Sequence, residues 1–250
     1  MCRFIAYTGP EIGAADLLVV PPHSLFEQCR SPRYQTRTND NPDGFGISWF
    51  EDGELKRYRK PVPMWEDDEL PSVARTTRAR HFLAAIRKAT PGLAIATENT
   101  APYIADGMSF AHNGSVEGWV EGTGARVREM VSERRLGGIE GTTDSEVLFA
   151  LVLSRLDDGM SRSDAIASAC VDVGTAFGGW LNLLLHDGER IVATSWGNSL
   201  FVLERDGAVI VASEPFDNRD DWRQIPDRML VEAGSDGVDV SSLISEEVRS

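Results

Sequence analysis

The stretch Met1-Cys2-Arg3-Phe4-Ile5-Ala6-Tyr7 opens the chain and decides how the remainder is read. Its run of Phe4, Ile5, Ala6 and Tyr7 is rich in β-formers and predicts a strand that holds this end rigidly inside a sheet. Removal of Met1, which a small second side chain permits, leaves a thiol and a free α-amino group on the same residue, Cys2. An α-amine titrates near ~7.7–8.0 and a free thiol near ~8.5, so at neutral pH the amine can take the thiol proton directly or through one water. Nucleophile and base then coincide. Read alone, Cys2 fits equally well as a small buried residue following the initiator.

The chain has 250 residues, 42% of them hydrophobic, which allows one large domain or two small ones with a sizeable core. No Pro/Gly/Ser linker divides it, so a single domain over 1–250 is expected, with a loose acidic tail from about 230. A net charge of -14 repels a phosphate backbone and speaks against nucleic acid and anionic membranes as partners. Only 3 of the 25 basic residues are lysine, a bias that fits codon usage better than a carboxylate-binding role. Cys2, Cys29 and Cys170 are odd in number and lack a Cys-x-x-Cys spacing, which disfavours a disulfide framework and suits a reducing cytoplasm. No leader pattern or long apolar segment is present, so a soluble cytoplasmic protein is expected. His23, His81, His112 and His186 show no zinc-like pairing, and neither metal nor cofactor is expected; Cys29 and Cys170 read as small buried hydrophobes. Nothing in the pattern sets an oligomeric state.

Further along, 14–20 and the start after Pro21-Pro22-His23-Ser24 predict two short helices, and 31–42 a loop ending in Asn41-Pro42-Asp43-Gly44-Phe45-Gly46. A hairpin is expected from 46–50 and 54–59 across Asp52-Gly53. A helix over 70–80, a buried strand over 81–86, and a strand over 109–112 ending at Asn113-Gly114 follow, with 116–119 able to continue the sheet. Residues 124–135 have helical composition. Thr143-Asp144-Ser145-Glu146 is a capping box that starts a helix, and a second helix is expected over 161–173. Two hairpins complete the pattern, turning at Asp187-Gly188 and Asp206-Gly207. Strands, two central helices and strands again describe an α+β domain with largely antiparallel sheets.

Three places join a strand end to polar groups. Arg87 leaves an apolar run, with Thr90 and Gly92 closing its turn. It is either a surface Arg or a fork for a substrate carboxylate. Asn113-Gly114 offers a side-chain amide and a backbone N–H to an oxyanion, yet is also a common tight-turn dipeptide. Asp144, in a first helical turn, either complements the macrodipole or accepts from a ligand ammonium. His112 is the one histidine beside these residues, where a packed structural role is the simpler one.

Taken together, Met1-Cys2, Asn41 to Gly46, Arg87-Lys88-Ala89-Thr90, His112-Asn113-Gly114 and Thr143-Asp144-Ser145 resemble the class II glutamine amidotransferases, a branch of the N-terminal-nucleophile hydrolases. The resemblance implies a four-layer αββα sandwich of two antiparallel sheets between helical layers. It implies Cys2 as nucleophile and base, Asn113 and Gly114 as the oxyanion hole, and Arg87, Thr90, His112 and Asp144 around a small-molecule γ-glutamyl substrate. Pro21 to Leu25, Asp43-Gly44-Phe45-Gly46 with Trp49, and Ser213-Glu214-Pro215-Phe216-Asp217 with Trp222 and Pro226-Asp227 resemble the ergothioneine-pathway amidohydrolases within that family. That branch implies removal of glutamate from γ-glutamyl-hercynylcysteine S-oxide, a cationic substrate for which Trp49, Trp119 and Trp222 are available. Lys88 stands where synthase-linked members usually carry an aromatic residue. A glutaminase subunit feeding a separate synthase, or a non-catalytic scaffold with the same fold, are the alternatives.

Overall fold

The computed structural model describes residues 2–34 and 40–244. Met1 and part of the expected 31–42 loop lie outside the described residues. In chain order the strands are β1 (Arg3–Gly13), β2 (Phe45–Glu51), β3 (Glu54–Lys60), β4 (Arg78–Ile86), β5 (Tyr103–Ala105), β6 (Met108–Val116), β7 (Gly179–His186), β8 (Ile191–Ser195), β9 (Phe201–Arg205), β10 (Ala208–Ala212), β11 (Arg223–Gln224), β12 (Met229–Gly234) and β13 (Gly237–Ser242). The helices are α1 (Ala15–Leu18), α2 (Leu25–Gln28), α3 (Leu70–Thr76), α4 (Gly124–Arg128), α5 (Glu133–Leu136), α6 (Asp144–Asp157) and α7 (Arg162–Phe177). One sheet runs β11-β9-β10-β1-β4-β2-β3 and the other β13-β12-β8-β7-β6-β5. Every pairing is antiparallel.

Alternation along the strands divides the apolar residues into three packed layers. Phe4 and Ala6 of β1, Leu83 and Ala85 of β4, and Val209 and Val211 of β10 meet Ala111, Leu184, Ala193 and Val231 of the other sheet. The residues between them in sequence, Ile5, Tyr7, Phe82, Ala84 and Ile210, face Leu17, Leu25 and Leu70 from α1, α2 and α3. On the far side, Phe110, Leu183 and Leu185 pack against Leu148, Leu151 and Ile166 of α6 and α7. The result is the expected four-layer sandwich. Among the described residues, no helix is long and apolar enough to cross a membrane, and no cluster of His, Cys, Asp or Glu is arranged to hold a metal ion.

The Asp52-Gly53 hairpin forms as expected, both residues having positive φ, 53° and 80°. Elsewhere the structure corrects the reading. The 70–80 helix stops at Thr76, and β4 begins at Arg78. Residues 124–135 break into α4 and α5. Asn113-Gly114 is not a turn; β6 runs through it to Val116. The described part of the expected acidic tail forms β12 and β13, in which Val231 and Ala233 fill the inter-sheet layer and Val238 and Val240 pack against it, while 245–250 lie outside the described residues. Those alternating apolar positions sit among acids and glycines that mask them.

His186 lies fully buried between the sheets, donating from Nε2 to the Tyr7 carbonyl at 3.2 Å and accepting the Gly188 N–H on Nδ1 at 3.0 Å. A nitrogen that accepts an N–H cannot also carry a proton, so the ring is neutral, and burial pushes its pKa down to about 4. The unfolded chain takes up this proton near ~6.5 and the folded chain does not. Stability contributed by the neutral ring is therefore complete above about pH 6.5 and is lost as pH falls toward about 4, by at most ~1.4 kcal/mol per pH unit. Urea unfolding across that window should show the decline, and His186→Gln should flatten it by about one proton.

Candidate active site

The pairing of Arg3 with Ile86 brings Cys2 beside the residues that leave β4. Its half-buried Sγ stands 3.9 Å from the Lys88 carbonyl. The segment carrying that carbonyl is clamped by the turn before β2. The Arg87 N–H donates to Gly44 O at 2.8 Å, the Asp43 N–H to Arg87 O at 3.0 Å, and the Ala89 N–H to Asp43 Oδ2 at 2.8 Å. Gly44 has φ 135°, a conformation that L side chains rarely adopt. Asn41 anchors the turn, its N–H donating to Cys29 O at 2.7 Å and its Nδ2 to Gln28 O at 3.3 Å.

Arg87 is buried and donates from both Nη1 and Nη2 to Ala94 O, each at 3.2 Å. Asn99 Nδ2 shares that carbonyl at 3.0 Å, and Asn99 Oδ1 accepts the Thr142 N–H at 2.8 Å. The loop after β4 is thereby tied to the start of α6. Thr90 closes its own turn, accepting the Leu93 N–H on its carbonyl at 3.0 Å. Thr143 caps α6 by accepting from Glu146 N at 3.2 Å. The capping box is only half formed, because the Glu146 carboxylate takes the Glu140 and Gly141 N–H groups at 2.9 and 2.6 Å instead.

Asp144 is buried in the first turn of α6 and fastens that helix to the end of β6. Its Oδ2 accepts the Val116 N–H at 2.9 Å and its Oδ1 the Ser145 N–H at 2.8 Å. Tyr103 is buried beside the cap of α6, with its hydroxyl 2.8 Å from Thr143 Oγ1. Burial raises the phenol pKa, while the Arg87 charge lowers it and the Asp144 charge raises it.

Asn113 links the two sheets. Its Nδ2 donates to Ser213 Oγ at 3.2 Å, and its Oδ1 accepts from Arg3 Nη1 at 3.4 Å. The same Nη1 donates to the Cys2 carbonyl at 3.0 Å, and Arg3 Nε meets Glu214 Oε1 at 3.3 Å. Glu214 Oε2 also accepts the Arg33 and Tyr34 N–H groups, each at 2.8 Å. Burial alone would raise the Glu214 carboxyl; His23, Arg3 and the two backbone donors outweigh it and hold the group below the usual carboxylate range. A guanidinium only donates, so Arg3 fixes the Asn113 amide with its oxygen toward Arg3 and its nitrogen toward Ser213. Sequence reasoning assigned no role to Arg3, Ser213 or Glu214. The signal lay in Arg3 adjoining the nucleophile inside a strand, where a charged residue needs a partner.

Gly114 follows Asn113 in β6, and a Cβ there would lie 1.7 Å from the Trp180 carbonyl. His112, grouped with the substrate residues on sequence, instead faces the helical layer. Its Nε2 donates to Trp180 O at 2.8 Å and its Nδ1 lies 3.1 Å from Ser145 Oγ, so both nitrogens are engaged within the protein. The three tryptophans diverge. Trp119 donates to Thr142 O at 3.0 Å, Trp222 donates to Asp217 Oδ1 at 2.9 Å, and Trp49 pairs with Phe82, toward the opposite end of β2 from Gly46.

The geometry has matching relatives. The model of the class-II glutamine amidotransferases matches residues 26–208. The gamma-glutamyl-hercynylcysteine sulfoxide hydrolase of Mycolicibacterium smegmatis is 37% identical over 246 residues, covering 97% of this chain and 100% of the relative. The protein of the same name from Mycobacterium tuberculosis is 34% identical over 244 residues, 97% of either chain. Among solved structures, a glutamine aminotransferase class-II domain protein from Silicibacter pomeroyi superimposes with a TM-score of 0.69 at 24% identity, covering 98% of this chain and 100% of that one. The B. subtilis glutamine phosphoribosylpyrophosphate amidotransferase does so at 0.68 and 16% identity, over 98% of this chain and 50% of that one. By the extent of these matches, the chain belongs to the class-II glutamine amidotransferases.

Proposed function

We propose that this protein hydrolyses the γ-glutamyl amide bond of γ-glutamyl-hercynylcysteine S-oxide, releasing glutamate and hercynylcysteine S-oxide in ergothioneine biosynthesis. The observation that carries the reading is the similarity, along nearly the whole of both chains, to two relatives named as hydrolases of that compound. The arrangement around Cys2 supports it. Once Met1 is removed, the α-amine takes the thiol proton and Sγ attacks the γ-carbonyl carbon. The carbonyl π electrons move to oxygen, where the second N–H of Asn113 Nδ2 and the Gly114 N–H receive them. A donor so placed is worth about 2.7–4 kcal/mol. Collapse expels the amine, which leaves with the proton held by the α-amino group, and water then cleaves the thioester to free glutamate.

Arg87 and Asp144 hold the amino-acid head in this scheme. The two bonds from Arg87 to Ala94 occupy two of five N–H donors, leaving others for the α-carboxylate. Asp144 has lone pairs beyond those given to Val116 and Ser145 for the α-ammonium. Opposite charges at a fixed spacing orient the γ-carbonyl over sulfur. Thr90 shapes the turn beside them. Arg3 acts as a positioning residue, setting the Asn113 amide and the Cys2 carbonyl with one nitrogen.

The deciding assay ranks glutamate release from glutamine, γ-glutamylcysteine, glutathione and γ-glutamyl-hercynylcysteine S-oxide. The last should turn over fastest, whereas faster turnover of glutamine would indicate an ammonia-delivering subunit. Purified protein should be lighter by one methionine, and Cys2→Ala should melt normally yet release no glutamate. Arg87→Ala should lower kcat/KM by about 2–5 kcal/mol, roughly 30-fold or more, chiefly through KM. Arg3→Lys retains the charge facing Glu214 but loses the shared donation to Cys2 and Asn113. It should lower kcat more than it raises KM, as read from steady-state kinetics on the same substrate.

A further inference from the structure

Away from Cys2, the outer edges of the two sheets and the helices α5 and α6 enclose a cavity of about 200 Å³. Its apolar lining comes from Ile139, Phe149 and Leu153, the latter two buried. Guanidinium groups from β3, Arg57 and Arg59, line it as well. This is unusual in a chain of net charge -14.

The charges around the cavity are unequally satisfied. Arg135 is paired with Asp157 and Asp106, and Arg134 with Asp157. Arg59 donates to Thr100 O at 3.0 Å and meets Glu140 at 3.5 Å. The Glu146 carboxylate is taken by two backbone N–H groups. Arg57 differs. Its one hydrogen bond among the described residues is from Nη1 to Pro102 O at 3.2 Å, and no carboxylate among them pairs with it. Burial, and after it the neighbouring Arg59, work against its charge, while Glu140 and Glu146 favour it. A half-buried cation of this kind gains most from an anion that brings its own apolar cover.

We propose that this cavity is a second ligand site, separate from the Cys2 centre, for a small carboxylate carried on an apolar ring or short chain. The carboxylate sits against Arg57 and Arg59, and the apolar body lies on Phe149 and Leu153. The size agrees, since an apolar cavity of ~150 Å³ accepts benzene. Tyr103 lines the same cavity and bonds Thr143, the cap of the helix that carries Asp144, so the site abuts the back of the glutamyl-binding region.

The test is calorimetric titration of the full chain with phenylacetate, alongside phenylacetamide and inorganic phosphate. Phenylacetate should bind saturably at one site per chain. Phenylacetamide, which lacks the charge, and phosphate, which lacks the apolar body, should each bind about tenfold more weakly or worse. Arg57→Gln should weaken phenylacetate binding by a similar factor while leaving glutamate release unchanged. Ala150→Leu, which fills the cavity from α6, should abolish binding. Amide resonances of Ile104 and Gly138 in the parent protein should move with phenylacetate, and they provide the location even if the leucine variant fails to fold. Absence of saturable binding, equal affinity for phenylacetamide, undiminished binding by Arg57→Gln, or resonance changes confined to the Cys2 end would each overturn the proposal.

Discussion

The guanidinium of Arg3, 1% exposed, ties together strands of both sheets. It meets the Glu214 carboxylate just beyond β10, the Asn113 amide in the middle of β6 and the carbonyl of the residue before β1. Taking such a pair out of water is costly, and burial does depress the guanidinium pKa, with Glu214 opposing the shift. Buried ion pairs are poor sources of net stability but severe filters on geometry, because removing either partner strands the other. Here the filter acts where two sheets must agree in position. Hydrophobic contact alone, as in the layer of Phe4, Leu83 and Leu184, tolerates small slips that a directional hydrogen bond does not.

Glu214 extends the same constraint outward. By accepting the Arg33 and Tyr34 N–H groups, it gathers the segment after α2 against the end of β10. A second, backbone-based clamp, from Asp43 and Gly44 to Arg87 and Ala89, holds the facing segment. Cys2 lies between these two fixtures. Its surroundings are thus set mainly by strand ends and short turns.

Much of this was legible. The β-former-rich run of 4–7, the apolar run of 81–86, the Asp-Gly turns and the Thr143 cap are local signals, and each element formed where its own residues favoured it. What escaped the sequence depends on distant partners. Asn113-Gly114 has the composition of a tight turn, and only the Trp180 carbonyl from β7 explains why glycine is needed within a strand. The Glu146 carboxylate, by contrast, found partners near in sequence, accepting the Glu140 and Gly141 N–H groups of the preceding loop in place of the capping partner. His112 adjoins Asn113 in sequence, yet successive strand residues point to opposite faces, which sent it to the helical layer. Arg3 was assigned no role because its partners, Glu214 and Asn113, lie more than a hundred positions away.

The bond from Val116 to Asp144 has an evolutionary corollary. A carboxylate that fastens a sheet to a helix cannot drift without loosening the scaffold, whatever small molecule the protein handles. Divergence among descendants of this architecture is consequently channelled away from the floor of the centre. Solvent-facing positions such as Ile95, which lies on none of the strands, are freer to change.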